Sequence, residues 1–352
     1  MQFITWPAIA GVLAAVVILQ WSTRQQAPPH SPARAEATSY AEAVNRAIPA
    51  VVNIYTSSRR GRDHPLYNDP VFRRFFSRER IEQSLGSGVI VDASGLLLTN
   101  QHVIAGADEI LVLLYDGREA IAEVIGSDSD TDLAVLRIGL QDLQPIAIGD
   151  PDQSLVGDVV LAIGNPYGFG HSVSQGIISA VGRYGLNLST YEDFIQTDAA
   201  IHVGNSGGAL IDVEGRLLGI NTATIAGRNQ PTGLGLATPS DLALGVMRDL
   251  VAYGKVVRGW LGLQTQPLYS NGRLTLENLQ VTATDPRGPA HKAGIRRGDV
   301  ITHIDGERVV DGRSTMRRVA QLRPGDAVEV TLQRGEGVLT LPVIVGTRPS
   351  AG

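Results

Sequence analysis

One serine of the sequence stands in a run of glycines that suits nucleophilic chemistry. Ser206 lies in Gly204-Asn205-Ser206-Gly207-Gly208. Glycines let the backbone turn tightly and point its N–H groups inward, as an oxyanion hole must do to stabilise a carbonyl oxygen that becomes negative. The same run is also an ordinary tight turn. The catalytic interpretation therefore depends on whether the sequence supplies a base and a carboxylate.

His102 is the best placed of the seven histidines to act as the base that a serine hydroxyl needs. It follows the apolar run Leu96-Leu97-Leu98-Thr99 and opens a short turn, which predicts a position at the end of a strand. A histidine at a strand end in an apolar stretch is a candidate for a site. The alternative is a histidine with a purely structural role.

A triad also needs a half-buried carboxylate that fixes the tautomer of the imidazole. Asp128, Asp130 and Asp132 compete for this role, and only Asp132 directly precedes an apolar strand, Leu133-Ala134-Val135-Leu136. The resulting order is histidine, aspartate, serine, which is the order found in chymotrypsin and not in the other common arrangements. The three residue types together favour catalysis over a tight turn.

Short apolar runs separated by turn residues fill residues 40–253, and their spacing predicts a β-sandwich or β-barrel that would position these side chains. Residues 240–253 instead have helical spacing, with Ser240 or Asp241 as the expected N-cap and Gly254 as the stop. From Lys255 onward the sequence carries an excess of five positive charges, whereas the part before it has an excess of ten negative charges. This change indicates that two modules meet near residue 255.

Composition excludes several classes of protein. The 352 residues suffice for about two domains, and 43% hydrophobic with 18% charged residues is too apolar for a disordered chain. The absence of cysteine excludes disulfide scaffolds, thiol proteases and cysteine-based zinc or iron–sulfur sites. A net charge of −5 argues against nucleic acid as a partner. No His-Glu-x-x-His motif and no phosphate-binding loop occurs, so we expect no metal and no cofactor.

The N-terminus carries an apolar run of the length that spans a membrane. In Phe3–Trp21 the only polar side chains are Thr5 and Gln20, and 19 helical residues span about 28 Å. We therefore expect residues 1–24 to be an uncleaved transmembrane helix and residues 25–39 a flexible tether. A cleaved signal peptide is the main alternative, although no basic residue precedes the run and no small-residue cleavage site follows it. The other alternative is a helix buried in a soluble domain.

Four motifs resemble those of the HtrA family of serine proteases. They are Thr99-Asn100-Gln101-His102-Val103-Ile104, Thr131-Asp132-Leu133-Ala134-Val135-Leu136, Gly164-Asn165-Pro166-Tyr167-Gly168 and Gly204-Asn205-Ser206-Gly207-Gly208-Ala209-Leu210. The resemblance covers residues 40 to about 346. It implies a mainly β fold in which a chymotrypsin/trypsin-like double six-stranded β-barrel, residues 40–254, holds the site in the cleft between its barrels.

The resemblance also assigns roles to residues. It implies His102 as base, Asp132 as the carboxylate that orients it and Ser206 as nucleophile. It implies that the N–H groups of Gly204 and Asn205 join that of Ser206 in the oxyanion loop. A specificity pocket for small apolar side chains would be lined by Ile220, Asn221 and Thr222. Arg183 would lie in a loop that relays activation. The family usually has asparagine where this sequence has His202, so His202 either perturbs the oxyanion loop or faces solvent.

Residues 255–348 resemble a PDZ domain, an α+β module that takes a peptide C-terminus as an added strand. Trp260-Leu261-Gly262-Leu263 matches the cradle for the terminal carboxylate. On the predicted helix, Ser314 to Leu322, Met316 faces the groove with either Val319 or Ala320. An ordinary core role for Trp260 and Met316 is the alternative.

The most similar type within the family is the membrane-anchored stress sensor of the bacterial periplasm. This resemblance implies a homotrimeric, regulated endopeptidase of the inner membrane. Its activators would be C-terminal peptides of misfolded outer-membrane proteins, and its substrate an anti-sigma factor. Two alternatives stay open: a peptide-binding chaperone or adaptor with a weak or idle protease, and a soluble quality-control protease. The segment Ser57 to Ser84 is either a disordered insertion or a loop that contacts a partner.

Overall fold

The computed structural model describes residues 39–57, 83–165, 170–186, 188–227, 230–270 and 273–348. The expected membrane helix at 1–24, all but the last residue of the tether, and residues 58–82 of the segment between Ser57 and Ser84 lie outside these ranges. Among the described residues, no helix has both the length and the apolar character needed to cross a bilayer.

The first barrel is built from antiparallel strands and two short helices. Its elements are α1 Ala41–Ala47, β1 Val51–Ser57, β2 Gln83–Ile90, β3 Leu96–Asn100, α2 Gln101–Ile104, β4 Glu109–Leu113, β5 Glu119–Ile121, β6 Glu123–Asp128 and β7 Leu133–Arg137. The strand order is β5-β4-β1-β2-β3-β7-β6. Seven strands replace the six that the resemblance implied, because one strand bends at Ala122, whose N–H bonds to the carbonyl of Ile110 (2.9 Å). Both edges of the sheet, β5 and β6, are therefore halves of one bent segment.

The second barrel is closed and has the six strands expected. Its strands are β8 Val159–Gly164, β9 Ser172–Arg183, β10 Phe194–Thr197, β11 Ala209–Ile211, β12 Leu217–Gly227 and β13 Gln230–Pro239, in the order β10-β13-β12-β11-β8-β9. Buried aliphatic side chains fill it, including Val160, Ile178, Ile195, Leu210 and Leu218.

Helix α3, Ser240–Tyr253, follows the second barrel and has the predicted bounds. Gly254 ends it in the left-handed conformation (φ 67°), and its N–H donates to the carbonyl of Leu250 (2.9 Å). The expected N-cap at Ser240 or Asp241 is wrong. The cap residue is Pro239, which makes no side-chain cap bond, because Ser240 is already the first helical residue.

The third module combines two small sheets with two helices. Its elements are β14 Gly259–Trp260, β15 Leu263–Ser270, β16 Arg273–Thr284, α4 Pro289–Lys292, β17 Val300–Ile304, β18 Glu307–Arg308, α5 Gly312–Gln321, β19 Ala327–Arg334, β20 Gly337–Ile344 and β21 Gly346–Thr347. Strand β14 pairs with β21, and the larger sheet has the order β15-β16-β17-β19-β20, with β18 on β17. Helix α5 begins two residues earlier than predicted, where Asp311 accepts the N–H of Ser314 (2.9 Å).

Candidate active site

His102 and Asp132 meet because the strands that carry them are neighbours. Strand β3 pairs with β7 so that Asn100 lies opposite Leu133. Helix α2 starts directly after β3, and Asp132 directly precedes β7. The carboxylate of Asp132 takes two bonds from His102, one from Nδ1 (2.6 Å) and one from the backbone N–H (2.9 Å). This contact fixes both the position of the imidazole and the nitrogen that carries its proton.

The backbone of Asp132 is itself held in a rare conformation. Its φ is 56°, in the left-handed region that only a few per cent of residues other than glycine adopt. The carbonyl of Asp132 accepts two bonds, from the N–H of Gln101 (3.0 Å) and from Nδ2 of the fully buried Asn100 (2.9 Å). These bonds stabilise a turn that would otherwise cost free energy.

Ser206 lies on the second barrel between β10 and β11. Its hydroxyl donates to the carbonyl of Thr222 (3.1 Å), and its own carbonyl accepts the N–H of Ser87 in β2 of the first barrel (2.8 Å). The serine is therefore positioned at the contact between the two barrels. It must turn away from Thr222 before it can share its proton with an imidazole.

The oxyanion loop forms a tight turn before Ser206. The N–H of Asn205 donates to the carbonyl of His202 (2.9 Å), and Gly204 between them has φ 100°, which is the pattern of a type II turn. The resemblance had implied three N–H donors toward the oxyanion, but that of Asn205 is used inside the turn. The N–H groups of Gly204 and Ser206 donate to no acceptor in the described part of the chain, so these two are available to a substrate.

The other predicted site residues of the barrel are buried or paired. Ile220 and Asn221 are fully buried in β12, and the Asn221 amide donates to the carbonyl of Ala209 (3.0 Å). Their part in a specificity pocket stays a prediction. His202 is exposed, in keeping with the solvent-facing alternative. Arg183 donates from Nε to the amide oxygen of Gln196 on β10 (2.8 Å).

A groove of about 580 Å³ lies on the third module. It is lined by Trp260, Leu261, Gly262 and Leu263 on one side and by Met316 of α5 on the other. The N–H groups of Leu261 and Gly262 donate to no described residue, although their carbonyls accept bonds. Free N–H groups beside an apolar groove are what a peptide carboxylate requires. Two tyrosines of the second barrel, Tyr184 and Tyr191, complete the groove wall.

Sequence reasoning missed a cluster of charges that joins this module to the barrels. The side chain of Arg258 is 10% exposed and pairs with Asp128 and with Asp130 (3.5 Å). Its guanidinium lies 4.5 Å from the ring centroid of Tyr191. Arg348 donates to the Tyr191 hydroxyl (2.6 Å). Burial lowers the pKa of Arg258, but the hydrogen bonds that it donates to Asp128, together with the charges of Asp128 and Asp130, raise this pKa above its ordinary value. The sequence held one sign of this cluster, which is that Asp128 and Asp130 stand shortly before Asp132.

Comparison with known proteins agrees with this architecture. A trypsin-like peptidase domain matches residues 86–220, and a PDZ domain matches residues 259–345. The chain is 40% identical over 357 residues to the serine endoprotease DegS of Escherichia coli strain K12, with 97% of each chain covered. The solved HtrA-type protease AlgW with a tripeptide gives a TM-score of 0.75 at 46% identity, covering 88% of this chain and 98% of the other. AlgW with a decapeptide gives 0.73 at 47% identity, covering 88% and 99%.

The fold and site thus define a trypsin-like serine endopeptidase that carries one PDZ domain. Because it is 40% identical to DegS with 97% of each chain covered, the chain belongs to the DegS type of HtrA serine endoproteases.

Proposed function

We propose that Ser206, His102 and Asp132 form the catalytic triad. Asp132 holds the proton of His102 on Nδ1, which leaves Nε2 free to take the proton of Ser206. Oγ of Ser206 then attacks the peptide carbonyl carbon, and the N–H groups of Gly204 and Ser206 stabilise its oxygen. The imidazolium returns the proton to the leaving amine as the C–N bond breaks. Water hydrolyses the resulting ester by the same route.

The PDZ groove binds the C-terminus of a peptide and controls this chemistry. Strand β15 is the end strand of its sheet and pairs only with β16 among the described residues, so its outer edge accepts an added strand. The free N–H groups of Leu261 and Gly262 receive the carboxylate. The observation that carries this proposal is that Tyr184 and Tyr191 of the protease barrel form part of the groove wall. A bound peptide therefore contacts both modules. AlgW was solved with a tripeptide and with a decapeptide, which supports peptide binding by this chain.

Kinship with DegS supports the finer parts of the proposal. The protein acts at the periplasmic face of the inner membrane as a homotrimer held by residues 1–24. C-terminal peptides of misfolded outer-membrane proteins activate it, and the substrate is an anti-sigma factor.

Cleavage of a fluorogenic peptide, with and without activating peptides, tests this regulation. A decapeptide with a free C-terminal carboxylate is expected to raise kcat/KM by about 5- to 150-fold, the usual range of allosteric coupling. The same decapeptide as a C-terminal amide should not. Met316→Glu should abolish the stimulation, because it puts a negative charge into the groove, whereas Val338→Glu on the far strand β20 should retain it. Equal stimulation by acid and amide would contradict the proposal.

A further inference from the structure

Ser87 is a buried serine of the first barrel that contacts the oxyanion loop of the second. It is 0% exposed and lies in β2, 119 residues before Ser206 in the chain. Its hydroxyl donates to the carbonyl of Gly204 (2.7 Å), and its backbone N–H donates to the carbonyl of Ser206 (2.8 Å). One residue therefore bonds to the chain on both sides of Asn205.

The bond to Gly204 fixes the peptide unit that separates the two oxyanion donors. This unit joins Gly204 to Asn205. Its carbonyl is held by Ser87, and its N–H is held by the carbonyl of His202 (2.9 Å). Because a peptide unit is planar, two bonds at opposite ends fix its rotation. The directions of the N–H groups of Gly204 and Ser206, which flank the unit, depend on that rotation.

The direction of the Ser87 hydroxyl is set by a second neighbour. The N–H of Asn165 donates to its oxygen (3.0 Å). A hydroxyl has one proton to donate, and an N–H at the oxygen leaves that proton for the carbonyl of Gly204. Ser87, Asn165 and Gly204 are all buried, so water does not replace a lost bond of the hydroxyl without cost.

Glycines on both sides of Ser87 let β2 pack closely inside the first barrel. A Cβ at Gly86 would lie 2.4 Å from Cγ1 of Val103 in α2, and a Cβ at Gly88 would lie 2.9 Å from Cδ1 of Ile54 in β1. Across the barrels, β2 lies against Gly207, where a Cβ would lie 2.1 Å from the carbonyl oxygen of Ser87. Glycines therefore allow β2 to approach both its own barrel and the loop around Ser206.

We propose that Ser87 is a positioning residue of the protease, which holds the oxyanion loop in its donating form through the carbonyl of Gly204. The inference rests on the proposed role of Ser206 as nucleophile. Ser87 touches neither substrate nor the reacting atoms; it acts through the loop.

The test is steady-state cleavage by Ser87→Ala and Ser87→Thr, together with inhibition by a peptide boronic acid that forms a tetrahedral adduct. Ser87→Ala should lower kcat by about 10- to 100-fold with little change in KM, less than the loss from deleting an oxyanion donor itself. The inhibition constant of the boronic acid should rise by a similar factor, because it binds as the tetrahedral state does. Ser87→Thr, which keeps the hydroxyl, should recover most of kcat.

Ser240→Ala is the matched control, since Ser240 is equally buried but its hydroxyl has no partner in the described structure. The kcat of this variant and its inhibition constant for the boronic acid should match those of the wild type. If Ser87→Ala does not fold, Ser87→Val, which has the shape of the threonine variant but no hydroxyl, gives the same test. A folded Ser87→Ala or Ser87→Val with wild-type kcat and inhibition would overturn the inference. Cleavage by Ser206→Ala at the wild-type rate would instead overturn the proposed function.

Discussion

At the residue scale, Asp132 combines two properties that its neighbours lack. It accepts two bonds from His102 and has a left-handed backbone, φ 56°. The sequence indicated Asp132 over Asp128 and Asp130 because it stands directly before a strand. That argument could not show what the other two aspartates do. Both pair with Arg258, which lies 130 residues after Asp128 and 128 residues after Asp130. A contact between residues so far apart in the chain leaves no local pattern in the sequence.

His171 is a partly buried histidine whose titration should affect stability. Its Nε2 lies 2.7 Å from the carbonyl of Val51, to which the neutral ring donates across the two barrels. Burial lowers the pKa of His171 below its ordinary value, against the smaller opposing effect of the Val51 bond. The unfolded chain therefore binds more protons than the folded one just below pH 6.5. Stability from this group is complete above about pH 6.5 and decreases as the pH falls toward the folded pKa.

His171→Gln should remove this pH dependence while keeping an N–H donor for Val51. Urea unfolding between pH 5 and pH 8 measures it. The wild type should lose more unfolding free energy on acidification than the variant does. Identical pH profiles for both proteins would show that His171 does not titrate in this way.

At the element scale, the sequence predicted the end of a helix or strand well where a single local residue determines it. Helix α3 ends as expected because Gly254 adopts the left-handed conformation that stops a helix. The bend at Ala122 was not predictable, since it depends on the bond from the N–H of Ala122 to the carbonyl of Ile110 in the neighbouring strand. Ser87 was overlooked for a similar reason. Its only trace in the sequence is a polar residue between glycines in an apolar run, and its role appears when β2 meets a loop of the other barrel.

Gly207 should tolerate no side chain because β2 lies against it. Its φ is 82°, and a Cβ there would lie 2.1 Å from the carbonyl oxygen of Ser87. Gly157 has a similar φ, 102°, with open space around it. Gly157→Ala should cost about 1–2 kcal/mol for the left-handed backbone alone. Gly207→Ala should cost about 1–3 kcal/mol more through overpacking and should also lower kcat. Thermal unfolding and cleavage assays of both variants measure this, and equal losses would contradict it.

At the scale of the whole molecule, contacts between modules link the PDZ groove to the candidate active site. Tyr191 forms part of the wall of the PDZ groove. Its N–H also donates to the carbonyl of Asp130 (2.9 Å), which is two residues from Asp132 in the chain. Arg258 and Arg348 of the PDZ module pack on the same tyrosine. The sequence predicted both modules and their order, because each has its own motifs. It could not predict the interface, whose residues come from widely separated parts of the chain.

The central claim is that Ser206 is a nucleophile served by an oxyanion loop that the PDZ module influences. Labelling with an organophosphonate, followed by mass spectrometry of the modified peptide, tests this claim most directly. We expect one adduct, on Ser206, that forms faster when a peptide with a free C-terminal carboxylate is present. Ser206→Ala should show no adduct and should lose cleavage by about 10⁶-fold. An adduct elsewhere, or cleavage by Ser206→Ala at the wild-type rate, would contradict the claim.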